Sequence, residues 1–129
     1  MQNLLLLSGR VMLAAIFIWA GLGKLGAYEG TQAYMASQGV PGSLLPLVIL
    51  LEIGAGVAVV LGLFTRAAAL ALGAFCFASA LLFHCDFSNQ DQAILFMKNL
   101  AIAGGFLLLA AAGPGDISID NRTSRPASD

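Results

Sequence analysis

The sequence predicts an all-α integral membrane fold, a bundle of four transmembrane helices with a short interfacial helix between the first and the second. Three observations carry this. Hydrophobic residues make up 59% of the 129 and charged ones only 10%, where a soluble domain holds about 25% charged. The mean hydropathy is +0.88. Four apolar runs each reach the roughly 20 residues that cross about 30 Å of hydrocarbon at about 1.5 Å per residue. Spans without water must satisfy every backbone group internally, and runs this long and uniform exclude barrel strands, so each run is a helix.

The first run spans about Leu4 to Leu25. It has no basic segment before it, it is long, and three more runs follow, so it is read as retained and not as a cleaved signal. Between it and the second run, Ala27 to Gln38 carries Tyr28, Tyr34 and Met35 among polar residues, and Gly39, Val40, Pro41 and Gly42 then break the helix. That pattern predicts an interfacial helix with tyrosines at headgroup depth, either a lid over the outer mouth of the bundle or a loose loop anchored by its tyrosines.

The second run spans about Leu44 to Phe64 and includes Glu52. Its fourteen Leu, Ile, Val or Phe residues, at about −0.3 to −0.6 kcal/mol each, outweigh about +3 kcal/mol for the acid. The third spans about Ala67 to Phe83. The fourth spans about Ile94 to Ala112 and sets nine such residues against Lys98, whose stem snorkels from near an end. Residues 1–112 therefore form the transmembrane domain and 113–129 a short tail. In that tail Pro114 stops the helix, Ile117 and Ile119 are expected to press back on the bundle, and Arg122 to Asp129 is expected to be disordered.

The short loops set the orientation. Arg66, Arg122 and Arg125 fall on the side of both termini, with Glu29, Asp86 and Asp91 opposite, so both termini are expected in the cytoplasm of a bacterial inner-membrane protein. A net charge of −1 supplies no cationic face for phosphates and excludes nucleic acid as a partner. The expected surroundings are the lipid bilayer, with a membrane or redox protein partner and a homo-oligomer both left open.

Residues able to carry chemistry are few. Cys76 and Cys85 are nine apart, which on one helix puts them on opposite faces and about 13 Å from each other, beyond disulfide reach unless the helix ends before Cys85. His84 is the sole histidine and cannot supply a paired haem ligand set or a zinc site; it is read as an interfacial hydrogen-bonding group. No haem, flavin or metal is expected.

The intramembrane charges are stronger candidates. Arg10 and Lys24 are fourteen residues apart and return to nearly the same helix face, with Phe17 and Gly21 between. Lys24, Glu52 and Lys98 fall at similar depths. Arg10, Lys24, Glu52 and Lys98 are thus expected to meet as a buried ion-pair network with Glu52 the only deep acceptor. Alternatively they border a ligand site of Lys24, Glu52, His84, Lys98 and Asn99, with Phe17 and Trp19 as aromatic walls. Small residues at Gly54, Ala58 and Gly62, and at Ala101 and Gly105, predict close helix contacts.

The order and spacing of Arg10, Gly21 to Leu25, Gly39 to Pro41, Glu52, Gly56, Gly62, Arg66, Lys98, Asn99 and the tail Gly113 to Asp120 resemble the DoxX family of small membrane proteins. The resemblance covers nearly the whole chain and implies a four-helix bacterial inner-membrane protein. That family takes its name from a subunit of an archaeal thiosulfate and quinone oxidoreductase, which implies a redox association; the expected role is a component of a membrane oxidoreductase system that binds a quinone or a redox partner at the polar site in the outer half of the bundle. This chain has no paired cysteines, haem ligands or flavin-binding domain. A non-enzymatic binder or transporter of a small amphiphile or anion, and an assembly scaffold, remain as alternatives.

Overall fold

The computed structural model describes residues 1–125. Six helices follow one another and no strand occurs among those residues: α1 Gln2–Gly26, α2 Tyr28–Ser37, α3 Gly42–Leu61, α4 Thr65–Phe83, α5 Gln90–Ala112 and α6 Ile119–Ser124. Helices α1, α3, α4 and α5 are long and apolar enough to cross a membrane. The short α2 lies between the first two, as the tyrosine-bearing segment predicts.

Helix α1 buries Arg10, Ala14, Phe17 and Gly21, positions spaced by four, three and four, which is one face of a 3.6-residue helix. That face meets α3. At the closest approach a Cβ on Gly21 would stand 2.6 Å from Ile53 Cγ1, and one on Gly56 2.9 Å from Ile18 Cγ1. Of the predicted stripe of Gly54, Ala58 and Gly62, Gly62 lies against the Arg10 side chain of α1, where a Cβ would stand 2.7 Å from Nη1, and Ala58 packs on the core, but Gly54 makes no such contact. Gly54 is exposed, because at about 100° per residue it lies about 200° from the inward-facing Glu52. Helices α4 and α5 pack along most of their length. The core between them is centred on Phe17, whose ring meets Phe106 edge-on at 5.5 Å and Phe75 at 6.4 Å.

Helix α3 changes pitch along its length. Its first turn, Gly42–Leu44, is a 3₁₀ helix, Pro46 sits where no intrahelical donor is needed, and residues Leu51–Ala55 form a π-helical turn. Such turns cost helical regularity and concentrate at functional sites. Glu52 lies inside this one.

Met35 of α2 is buried with Leu45 and Ile49 of α3, Gln32 Nε2 donates to Gly42 O at 3.1 Å, and the Tyr34 ring stacks on Phe83 at 5.6 Å. These contacts hold α2 across one end of the bundle, hereafter the α2 end.

The opposite end, which holds both chain termini, is closed by the tail. Arg10 is buried there and does not approach Glu52, since fourteen residues of helix hold it about 21 Å from Lys24. Its guanidinium donates to Pro114 O and Ile117 O, each at 2.7 Å, and to Val60 O at 3.3 Å. Arg66 Nη1 donates to Ala110 O and Ala111 O at the end of α5. The tail thus folds back through carbonyls; of its isoleucines Ile117 is exposed and Ile119 half-buried. The expected disorder from Arg122 does not hold for Arg122 to Ser124, which end α6; residues 126–129 lie outside the described part.

Asp120 caps α4 from a distance of 55 residues. Its carboxylate accepts from Phe64 N at 2.7 Å, Thr65 N at 2.9 Å and Thr65 Oγ1 at 2.7 Å. Phe64 is held at φ 46, a strained region for a bulky residue, directly beneath this cap. Desolvation works against the Asp120 carboxylate, but the bonds from Thr65 and Phe64 and the Arg10 charge outweigh it and hold the carboxyl below its ordinary range. Replacing Asp120 by alanine is expected to cost about 1–2 kcal/mol at neutral pH. Because the folded value is the lower one, that contribution is full above the ordinary carboxyl value of about 3.9 and is lost as pH falls through the depressed one. Melting curves of the two proteins should converge on acidification; a gap unchanged down to strong acid would refute the assignment.

Candidate functional site

Helices α1, α3 and α4 bring Lys24, Glu52 and His84 together beneath α2. Lys24 is in the last turn of α1, and its Nζ donates to both Glu52 carboxylate oxygens, at 2.8 and 3.0 Å. The Glu52 side chain is 2% exposed and that of Lys24 27%. This is the one salt bridge among the described residues. A buried pair of this kind persists because both charges are matched, while either alone is costly in an apolar surround.

The pair stands at the wall of one cavity, and Glu52 also borders a second. The larger, about 360 Å³, runs from α2 down between α1, α3 and α4 and is lined mostly by apolar groups, among them Met35, Val48 and Phe75, with Thr31, Ser79 and His84 as polar exceptions. The smaller, about 170 Å³, lies toward α5 and adds Phe17, Cys76 and Asn99. Glu52, Phe75, Ser79 and His84 border both.

His84 follows the last residue of α4, and its Nδ1 is 2.8 Å from Gln92 Oε1 on α5. Cys76 is buried and free. Cys85 is free and exposed, lying past the helix end with its thiol on Ala80 O at 3.7 Å.

The four-member charge network does not form. Arg10 is at the other end, and Lys98 is exposed on the outer face of α5, beside Gln90, Ile94 and Met97. The inward face of α5 is marked by Ala103, Phe106 and Leu109. Asn99 is seven residues from Phe106 and falls within about 20° of it, whereas Lys98 is about 80° away. Of the residues expected at a ligand site, Lys24 borders the larger cavity, Asn99 the smaller, Glu52 and His84 both, and Lys98 neither. Trp19 is 81% exposed and walls neither; Phe17 walls the smaller.

Removing Lys98 changes the electrostatics. One cation and one anion remain, so the surplus of positive groups that would recruit an anion is absent. A cavity of this size with an apolar lining and a few convergent polar groups fits a neutral amphiphile whose head reaches the pair. Sequence reasoning passed over Ser79, Thr31 and Gln92. Ser79 carried a usable signal, as a polar residue inside an apolar run that must find a partner; Gln92, eight residues past His84 across a loop, carried none.

The family model described as DoxX matches residues 5–85, a stretch that holds Arg10, Lys24, Glu52 and His84. Inner membrane protein YqjF of Escherichia coli (strain K12) is 49% identical over 120 residues, covering 93% of this chain and 92% of that protein. Inner membrane protein YphA of the same organism is 40% identical over 128 residues, covering 94% and 91%. No solved structure matches.

Proposed function

The chain belongs to the DoxX family, and from that premise we propose that it is a multi-pass inner-membrane protein that binds a small neutral amphiphile, quinones foremost, in the cavity beneath α2. In this reading it serves a membrane oxidoreductase system as the component that holds the ligand. The observation that supports it is the 360 Å³ apolar cavity with the Lys24 and Glu52 pair on its wall. A quinone site needs an apolar slot for ring and tail and a polar group at the head, and both are present. The relatives' names support the membrane placement.

Thermal melting of the detergent-purified protein tests it. A short-tailed quinone should stabilise the wild type in proportion to occupancy, and Ala78→Phe, which adds bulk to a residue lining the cavity outside the ion pair, should reduce the shift. Equal shifts in both proteins would leave the scaffold reading in its place.

Orientation follows the same proposal. Arg66 and Arg122 lie at the end opposite α2, while the acidic loop residues Glu29, Asp86 and Asp91 lie at the α2 end, which supports a reading with both termini in the cytoplasm and the cavity open toward the periplasmic leaflet. A reporter active only in the periplasm, fused after Asp129, should give no signal. Strong signal would reverse the placement.

A further inference from the structure

The hydrogen-bond inventory around Glu52 restricts the head that the cavity accepts. A carboxylate offers about four acceptor positions, and here the only donor that reaches it among the described residues is Lys24 Nζ. The side chain is 2% exposed and borders both cavities. Ser79, His84 and Asn99 share those cavities, yet none donates to it. His84 does not help, because its Nδ1 is engaged by Gln92 and its ring makes no hydrogen bond to Glu52. Empty acceptor positions on a buried anion are costly, and a ligand that fills one gains what the protein leaves unmet.

Carbonyl and hydroxyl heads differ at this wall. A carbonyl accepts the remaining Lys24 proton but sets its own lone pairs against the carboxylate. One hydroxyl accepts from Lys24 and donates to Glu52 at once, so it satisfies both members of the pair. We propose, building on the amphiphile reading above, that the cavity selects a hydroxyl-bearing head, a quinol or other phenol-headed amphiphile, over the corresponding quinone. Glu52 is then the residue that reads the head, and Lys24 holds it in place. No electron or proton transfer is needed for this selection, which concerns binding alone.

The experiment uses the full chain in detergent under anaerobic conditions with three probes that share one decyl tail: a benzoquinol, its benzoquinone and the quinol's dimethyl ether. Isothermal titration should give the quinol an affinity about tenfold or more above both others, the effect of one added hydrogen bond to a charged group. Glu52→Gln should bring the three affinities together. The wild-type series decides the matter even if that variant folds poorly, since both controls lack the donor, the ether with a methyl group added on each oxygen and the quinone with no added bulk there. Equal binding of quinol and ether, or tighter binding of the quinone, overturns the selection while leaving the amphiphile reading intact. Failure of all three to bind overturns both.

Discussion

Lys24→Met is expected to destabilise the protein by about 3–5 kcal/mol, the cost of leaving a buried charge without its partner. The carboxylate it abandons is 2% exposed and takes its hydrogen bonds from Lys24 Nζ alone. Glu52→Gln should cost less, because the Lys24 side chain is 27% exposed and its long stem can carry the ammonium toward the α2 end. Replacing both, Lys24→Met with Glu52→Gln, is expected to cost far less than the sum of the two, because no buried charge is then left without its partner. A double-mutant cycle followed by denaturation in detergent should therefore show strong coupling. Lys98→Met is the internal control: it lies outside the pair, and its effect should simply add to that of Glu52→Gln. Coupling to Lys98, with none to Lys24, would mean that the pair described here is not the one that holds the helices.

The contrast between Lys24 and Lys98 shows how far the sequence alone reaches. The four spans, and the face of α1 carrying Arg10, Phe17, Gly21 and Lys24, follow from periodicity, since a helix with basic groups on one side must turn that side inward. Depth is also legible, because counting residues from a helix end converts directly to ångströms. Rotation about the axis is not. Lys98 and Asn99 are adjacent in the chain and equal in depth, yet only Asn99 borders the site, and the choice is made by Ala103, Phe106 and Leu109 seating against α1 and α4. A continuous apolar run gives no sign of which of its large residues will do this, because lipid accepts the outer face as readily as the core accepts the inner one.

The closure of the terminal end was legible in place but not in mechanism. Pro114 and its flanking glycines mark a turn, and Ile117 and Ile119 invite an apolar docking. What holds the tail is polar. Asp120 caps a helix that starts 55 residues earlier, and Arg10 is matched by backbone carbonyls, which any residue type supplies. Neither arrangement leaves a local pattern of the kind that marks an ordinary cap, where side chain and helix are neighbours in sequence.

Ending the chain after Gly113 is for that reason expected to be severe, whereas ending it after Arg122 is not. The shorter chain deprives Arg10, 1% exposed, of the Pro114 and Ile117 carbonyls and leaves it Val60 O at 3.3 Å, with Nε already lacking a partner. An unmatched buried cation costs about 3–5 kcal/mol. Loss of Asp120 takes the cap from Thr65 and adds about 1–2 kcal/mol, and Asn3 loses its pairing with Asp116. The longer truncation removes Thr123 and Ser124, whose hydroxyls donate only to Asp120 O and Asn121 O within α6. Adding Arg10→Met to the short chain should restore part of its stability, because the charge that lost its acceptors is then gone. Melting temperatures of the three proteins in one detergent decide the point: equal values for the two truncations, or no rescue by Arg10→Met, would mean that the tail carbonyls do not hold this end of the bundle together.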